Sequence, residues 1–322
     1  MGVIPSDKYD RIGILEVLEV LEVLEILLKS RKKWMDNLDA MGSSLDLMQT
    51  GLQIIWPLRP GTSKVDWCED NYTFSPIVAE LVNTVSNLLF LLLPPLLIFL
   101  FQPYGKLIQK EIHIIWILLF VIGAASAYFH ATLSLLGQLL DELSILWAAI
   151  IGTTIWFPSR LLPNKLLLEN RRLFRFLVAG IGLVCSVLCC IHPPFNAFAL
   201  LSLVTPGMVL LYGELRRCHD SRVVRLGIRS TITWVVAIMC WINDRVFCDV
   251  WSSVQFPYLH GAWHILVCIA GYCSCVLFAY FYAVEEFPHR TLTLEYWPSP
   301  RFPELFSVPY INLNKGRLQK IV

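Results

Sequence analysis

The residues best placed to do chemistry are His260 and His264, in the run Phe256-Pro-Tyr-Leu-His-Gly-Ala-Trp-His264 that opens the last long apolar segment. Their i, i+4 spacing sets both imidazoles on one face of a helix. A histidine inside a membrane span is costly unless it is paired or used, and a shared metal ion is the economical explanation for two. Zinc suits imidazole, and with three protein ligands and an open fourth position it lowers the pKa of a bound water to about 7. Such a site needs a third ligand at the same depth, a group that moves protons, and a substrate.

Depth follows from the elements that must carry these residues. The 322-residue chain is 56% hydrophobic and only 16% charged, with a mean hydropathy of +0.59, which places it among polytopic membrane proteins. Seven apolar segments stand out, at residues 81–101, 112–130, 139–157, 173–191, 196–213, 228–247 and 260–283. Each is about 17 to 25 residues long, enough to cross the hydrocarbon core. The expected fold is all-α, a bundle of seven transmembrane helices, with Pro94-Pro95 bending the first. Basic residues follow span one (Lys106, Lys110), span three (Arg160, Lys165, Arg171, Arg172, Arg175) and span five (Arg216, Arg217, Arg222, Arg225, Arg229). These connections belong in the cytosol, as does the tail with Arg290, Arg301, Lys315, Arg317 and Lys320. The connections after spans two and four carry no Lys or Arg, and that after span six has little beyond Arg245. An odd number of spans then gives a lumenal N-terminus and a cytosolic C-terminus. A net charge of +1 gives no electrostatic case for a nucleic-acid partner.

With this orientation His130 ends span two, Asp141 and Glu142 begin span three, Asp244 closes span six, and His260 and His264 begin span seven. All lie toward the lumenal end. Ser126 precedes His130 by four residues and shares its helix face. His130 alone reads as an interfacial residue; with the His260–His264 pair it becomes the third zinc ligand. Asp141 offers a proton acceptor or a partner that orients an imidazole, and Ser126 a hydroxyl for the water or for the oxygen of a polarised carbonyl. His113 and His219 lie at the cytosolic side, His289 in the tail, and His192 in a turn beside Pro193-Pro194.

Residues 1–61 read as a low-complexity extension, disordered or loosely helical, ahead of a seven-span catalytic domain at residues 62–284 and a tail at residues 285–322. Glu16, Glu19, Glu22 and Glu25 recur every three residues, a period of neither a coiled coil nor a helix stripe. Four carboxylates at about 3 kcal/mol each argue against a span there. Residues 1–60 also lack the charged n-region, apolar h-region and cleavage site of a secretory signal, so membrane entry is expected to rely on the first span. Just before that span, Asp66, Glu69, Asn71 and Glu80 offer hard oxygen ligands suited to Ca²⁺, or else form a solvated acidic turn. Asn71-Tyr-Thr73 is a glycosylation acceptor whose closeness to the membrane argues against modification. Most of the ten cysteines fall inside apolar runs and read as small hydrophobes. Cys68 and Cys248 flank spans on the lumenal side, where a bridge between them is expected, although spacing does not show that their Cα atoms approach.

Four ordered motifs carry a resemblance. Asp66-Trp-Cys-Glu-Asp-Asn-Tyr, the stretch from Tyr128-Phe-His130 to Asp141-Glu142, Trp241-Ile-Asn-Asp-Arg-Val-Phe-Cys248 and the Phe256–His264 run together resemble the alkaline ceramidases, most closely the Golgi-type members. The resemblance runs from about Ser63 to Tyr310, and residues 1–60 have no counterpart in it. It implies a Golgi-located, seven-span zinc amidase that hydrolyses ceramide to sphingosine and a fatty acid. It assigns zinc to His130, His260 and His264, the handling of the attacking water to Ser126 and Asp141, and Ca²⁺ to Asp66, Trp67 (through its carbonyl), Glu69, Asn71 and Glu80. It also matches Cys68 with Cys248 as a lumenal disulfide. Two other classes share some of these features. A seven-span zinc receptor of the progestin and adiponectin type would have a cytosolic N-terminus. A lipid-binding transporter or receptor would use the polar cluster without chemistry.

Overall fold

Among the described residues, seven helices are long and apolar enough to cross a membrane. The computed structural model describes residues 56–162, 170–192, 195–299 and 307–313. The first span is two helices, α1 (Leu81–Ser86) and α2 (Leu88–Leu100), followed by the short α3 (Gln102–Leu107). The other spans lie in α4 (Ile112–Thr132), α5 (Leu135–Trp156), α6 (Arg171–Ile191), α7 (Phe195–Arg217), α8 (Ser221–Val246) and α10 (Leu259–Glu286), with the short α9 (Cys248–Ser253) before α10. The chain divides into two units at Pro57 and Leu58. The glutamate repeat lies outside the described residues.

The spans start and stop for local reasons. Ser134 Oγ accepts the Gly137 N–H at 3.1 Å and caps α5, four residues before the expected start, so Asp141 and Glu142 fall in its second turn. Leu133 adopts φ 48°, the left-handed conformation that ends α4 in a tight turn. The interruption in the first span falls at Asn87, whereas α2 runs through Pro94 and Pro95. Asn87 Nδ2 donates to the Asn83 carbonyl at 2.9 Å, a side-chain competitor of the helix ladder. Pro94 is buried within the helix, and neighbouring helices can accommodate the carbonyls that a proline frees.

Helix α10 is the hub, packing on α1, α2, α5, α7, α8 and the C-terminal strands. The outer faces remain apolar. On α8, Ile228, Ile232, Val235, Met239, Ile242 and Val246 form one exposed stripe at helical spacing, which suits lipid and would be intolerable in water. The tail is not all helix: β1 (Leu292–Trp297) and β2 (Val308–Leu313) pair antiparallel from Leu292 opposite Leu313 to Trp297 opposite Val308. Leu294, Tyr296 and Ile311 join the main core, so burial of alternate residues makes this hairpin part of the bundle.

At the histidine end, the segment before α1 is clamped over α4. A helix leaves its last carbonyls without partners, and here Glu80, Ala79, Gly61 and Ser63 N–H groups donate to the carbonyls of His130, Ala131, Thr132 and Leu133 at 2.9–3.0 Å. A Cys68–Cys248 disulfide, with Cα atoms 5.3 Å apart, ties the same segment to α9. Cys248→Ser is expected to lower the thermal midpoint in detergent by the equivalent of about 2–4 kcal/mol. An unchanged midpoint would mean that the backbone clamp holds the loop alone.

Candidate metal centre

The end of α4 and the first two turns of α10 meet beneath this clamp. His130, His260 and His264 are all buried, and one ring nitrogen from each lies within 4.8 Å of the others. Ring centroids stand 5.0 Å apart for His130 and His260, 4.8 Å for His130 and His264, and 4.5 Å for His260 and His264. Among the described residues no other group of His, Cys, Asp or Glu reaches this density. The turn between α4 and α5 is close-packed near His130. A Cβ at Gly137 would come within 2.9 Å of the Phe129 backbone, so only glycine lets α5 start so near the site.

Each ring is held from outside the cluster. Glu80 Oε2 pairs with His130 Nδ1, while Glu80 Oε1 accepts the Trp67 N–H at 3.3 Å. His264 Nδ1 is 2.7 Å from Ser86 Oγ. His260 is stacked under the Trp67 indole, centroids 3.6 Å apart, with the Arg245 guanidinium 5.7 Å from that indole. Asp244 Oδ1 accepts the His260 N–H at 3.1 Å and Oδ2 accepts the Cys68 N–H at 3.2 Å, so one carboxylate joins α10 to the loop. With Nδ1 of His130 engaged, its Nε2 is buried without a hydrogen-bond partner, as is Nδ1 of His260. Buried imidazole nitrogens left bare are what a soft-to-borderline divalent cation would satisfy, and the all-histidine donor set fits zinc.

Ser126 is buried one turn below His130 on α4. Its hydroxyl lies near the Asp141 carboxyl of α5, so the two residues expected to share the chemistry are neighbours. In the loop, Asn71 Nδ2 donates to both Asp66 carboxylate oxygens at 3.1 and 3.2 Å, and the Asp66 and Glu80 carboxyls are close enough to repel each other. Glu69 Oε1 and Oε2 accept the Val82 and Asn83 N–H groups at 2.7 and 2.8 Å, capping α1. Burial pushes the Glu80 carboxyl up to about 8, against the pull of Asn83 and the Trp67 N–H; burial likewise raises Glu69.

A family model described as Ceramidase matches residues 59–312. The chain belongs to the ceramidase family. It is 52% identical over 261 residues to an alkaline ceramidase of Drosophila melanogaster, covering 81% of this chain and 91% of that protein. It is 38% identical over 252 residues to alkaline ceramidase 1 of Homo sapiens, covering 78% of this chain and 94% of the relative. An alkaline ceramidase of Caenorhabditis elegans is 34% identical over 257 residues, 77% of this chain and 93% of the other. The ceramidase-family match thus takes in the loop, all seven spans and the C-terminal hairpin.

Three supports of the centre were not singled out from sequence: Glu80 as the partner of His130, Ser86 beside His264, and the Trp67 side chain against His260. Asn83, Ser86 and Asn87 stand at i, i+3 and i+4 near the start of the first span. A polar stripe at the depth of the histidines was the available signal.

Proposed function

We propose that the chain is an intramembrane, zinc-dependent amidase that hydrolyses the N-acyl bond of ceramide, giving sphingosine and a free fatty acid. Three buried imidazoles converging within a ceramidase-family bundle carry this reading. His130, His260 and His264 would hold the metal. Zinc in such a site supplies Lewis acidity, polarising the amide carbonyl and making the attacking water easier to deprotonate.

The chain's own groups divide the remaining work. The two apolar chains of ceramide lie among the spans, and the amide enters at the histidine end. Asp141 takes the proton of the attacking water and returns it to the departing sphingosine nitrogen, so the C–N bond breaks as a neutral amine leaves. Ser126, near Asp141 at rest, is free to turn toward the developing oxyanion once Asp141 has been protonated.

Ca²⁺ is assigned to Asp66, the Trp67 carbonyl, Glu69, Asn71 and Glu80. The closeness of the Asp66 and Glu80 carboxyls supports it, since a divalent cation would offset their repulsion and the upward push on Glu80. Calcium chelation is expected to lower both the thermal midpoint and the rate; if neither moves, the calcium site is lost from the scheme. A disulfide between loop and α9 suits an oxidising lumen, consistent with the histidine end facing the lumen of the secretory pathway, with the Golgi as the expected compartment. The deciding experiment is metal analysis of the purified protein followed by a ceramide-to-sphingosine assay across pH. One zinc per chain with sphingosine release is the expected result; tightly bound ceramide without product would make the protein a lipid-binding receptor or transporter instead.

A further inference from the structure

A neutral imidazole carries one N–H and one lone pair, and a metal ligand must present the lone pair. What decides this for His264 lies in α1. Ser86 Oγ is 2.7 Å from His264 Nδ1 and donates to the Asn83 carbonyl at 2.8 Å. A serine hydroxyl has one proton, and because the Asn83 carbonyl cannot donate, giving that proton to the carbonyl is the arrangement that satisfies both contacts, with the oxygen accepting from His264. Asn87 Nδ2 is farther, at 3.4 Å, and directs its closer contact, 2.9 Å, to the same Asn83 carbonyl. The proton of His264 therefore belongs on Nδ1, which leaves Nε2 with the lone pair.

The acceptors are themselves fixed. The Asn83 N–H donates to Glu69 Oε2 at 2.8 Å, so the loop carboxylate sets the turn of α1 whose carbonyl receives the Ser86 proton. At the opposite end of α1, Glu80 engages Nδ1 of His130 and leaves Nε2 of that ring bare. A six-residue helix thus has a holder for one histidine at each end. The helix is interrupted at Asn87, immediately after the residue that contacts the ring.

We propose that Ser86 is a positioning residue for the metal centre, its hydroxyl fixing His264 as the Nδ1–H tautomer so that Nε2 faces the same metal as His130. The inference rests on the zinc reading above, and its test reads zinc binding rather than ceramide turnover. Purified parent, Ser86→Thr and Ser86→Val proteins are stripped of metal and titrated with zinc against a competing chelator. Thermal midpoints are recorded with and without zinc. Ser86→Thr keeps a hydroxyl and is expected to bind zinc as the parent does. Ser86→Val matches threonine in shape and is expected to bind about 10- to 100-fold more weakly, with a smaller zinc-induced rise in midpoint but an unchanged metal-free midpoint. If Ser86→Val does not fold, Ser86→Ala replaces it in the same comparison.

Equal zinc affinity in parent and Ser86→Val would overturn the proposal. So would equal losses in Ser86→Thr and Ser86→Val, which would point to packing rather than to the hydroxyl. A parent that binds no zinc would remove the zinc reading itself, an outcome separate from a parent that binds zinc and a valine variant that binds it equally well.

Discussion

Membranes containing the His264→Ala protein are expected to release no sphingosine from ceramide above background, and the purified variant to hold less than one zinc per chain. The expected effect is large because the three imidazoles act as a set. Two ligands cannot hold the ion in a three-histidine site with an open position, and the loss would leave Ser86 Oγ, now 2.7 Å from the ring nitrogen, without its donor. The bundle should survive the change. Alanine is the best helix former, His264 lies in the second turn of α10, and the long apolar contacts of that helix run beyond it through Cys268, Cys273, Val276 and Leu277. His192→Ala makes the matching control, because His192 ends α6 outside the cluster and its loss should leave activity intact. Full activity in membranes of His264→Ala would sink the metal assignment.

Asp141→Asn is expected to lower kcat by about 10²- to 10⁴-fold, the usual worth of a positioned acid–base group, with zinc content unchanged. The amide is close in shape to the carboxylate and can still accept from the nearby Ser126 hydroxyl, so the pocket should keep its form while losing its proton carrier. Ser126→Ala separates the two roles. If Ser126 serves the oxyanion, its loss costs about 10²- to 10³-fold and leaves the shape of the pH–rate profile unchanged, whereas Asp141→Asn removes the limb set by the base. Should Ser126→Ala erase that limb and Asp141→Asn leave it, the assignments are reversed.

Much of this architecture is legible in the chain. The seven apolar runs match the observed spans closely: residues 112–130 became α4, Ile112–Thr132, and residues 260–283 became α10, Leu259–Glu286. Apolar length sets these boundaries, and little else competes with it inside a bilayer. The departures come where local chemistry outweighs that rule. The first span is interrupted at Asn87, whose amide reaches the Asn83 carbonyl, and its second helix runs on through the proline pair. Alternating apolar residues 292–297 fold into a hairpin because Leu294, Tyr296 and Ile311 can be buried against the bundle, and a six-residue pattern is easily passed over beside runs of twenty.

The histidine pair was determined by sequence alone as far as one helix face, since i, i+4 spacing fixes direction on any helix. Its meeting with His130, at 4.8 Å or less between ring nitrogens, depends on two helices far apart in the chain ending at one point. The loop's chemistry was likewise legible as a set of oxygen donors, but not their allocation. Only the fold shows Glu69 capping α1, Glu80 turned to His130 and Asp244 shared between α10 and Cys68. Residue type says which bonds a group can make; where several partners are chemically equivalent, the choice among them is made by backbone geometry, and that belongs to the tertiary structure.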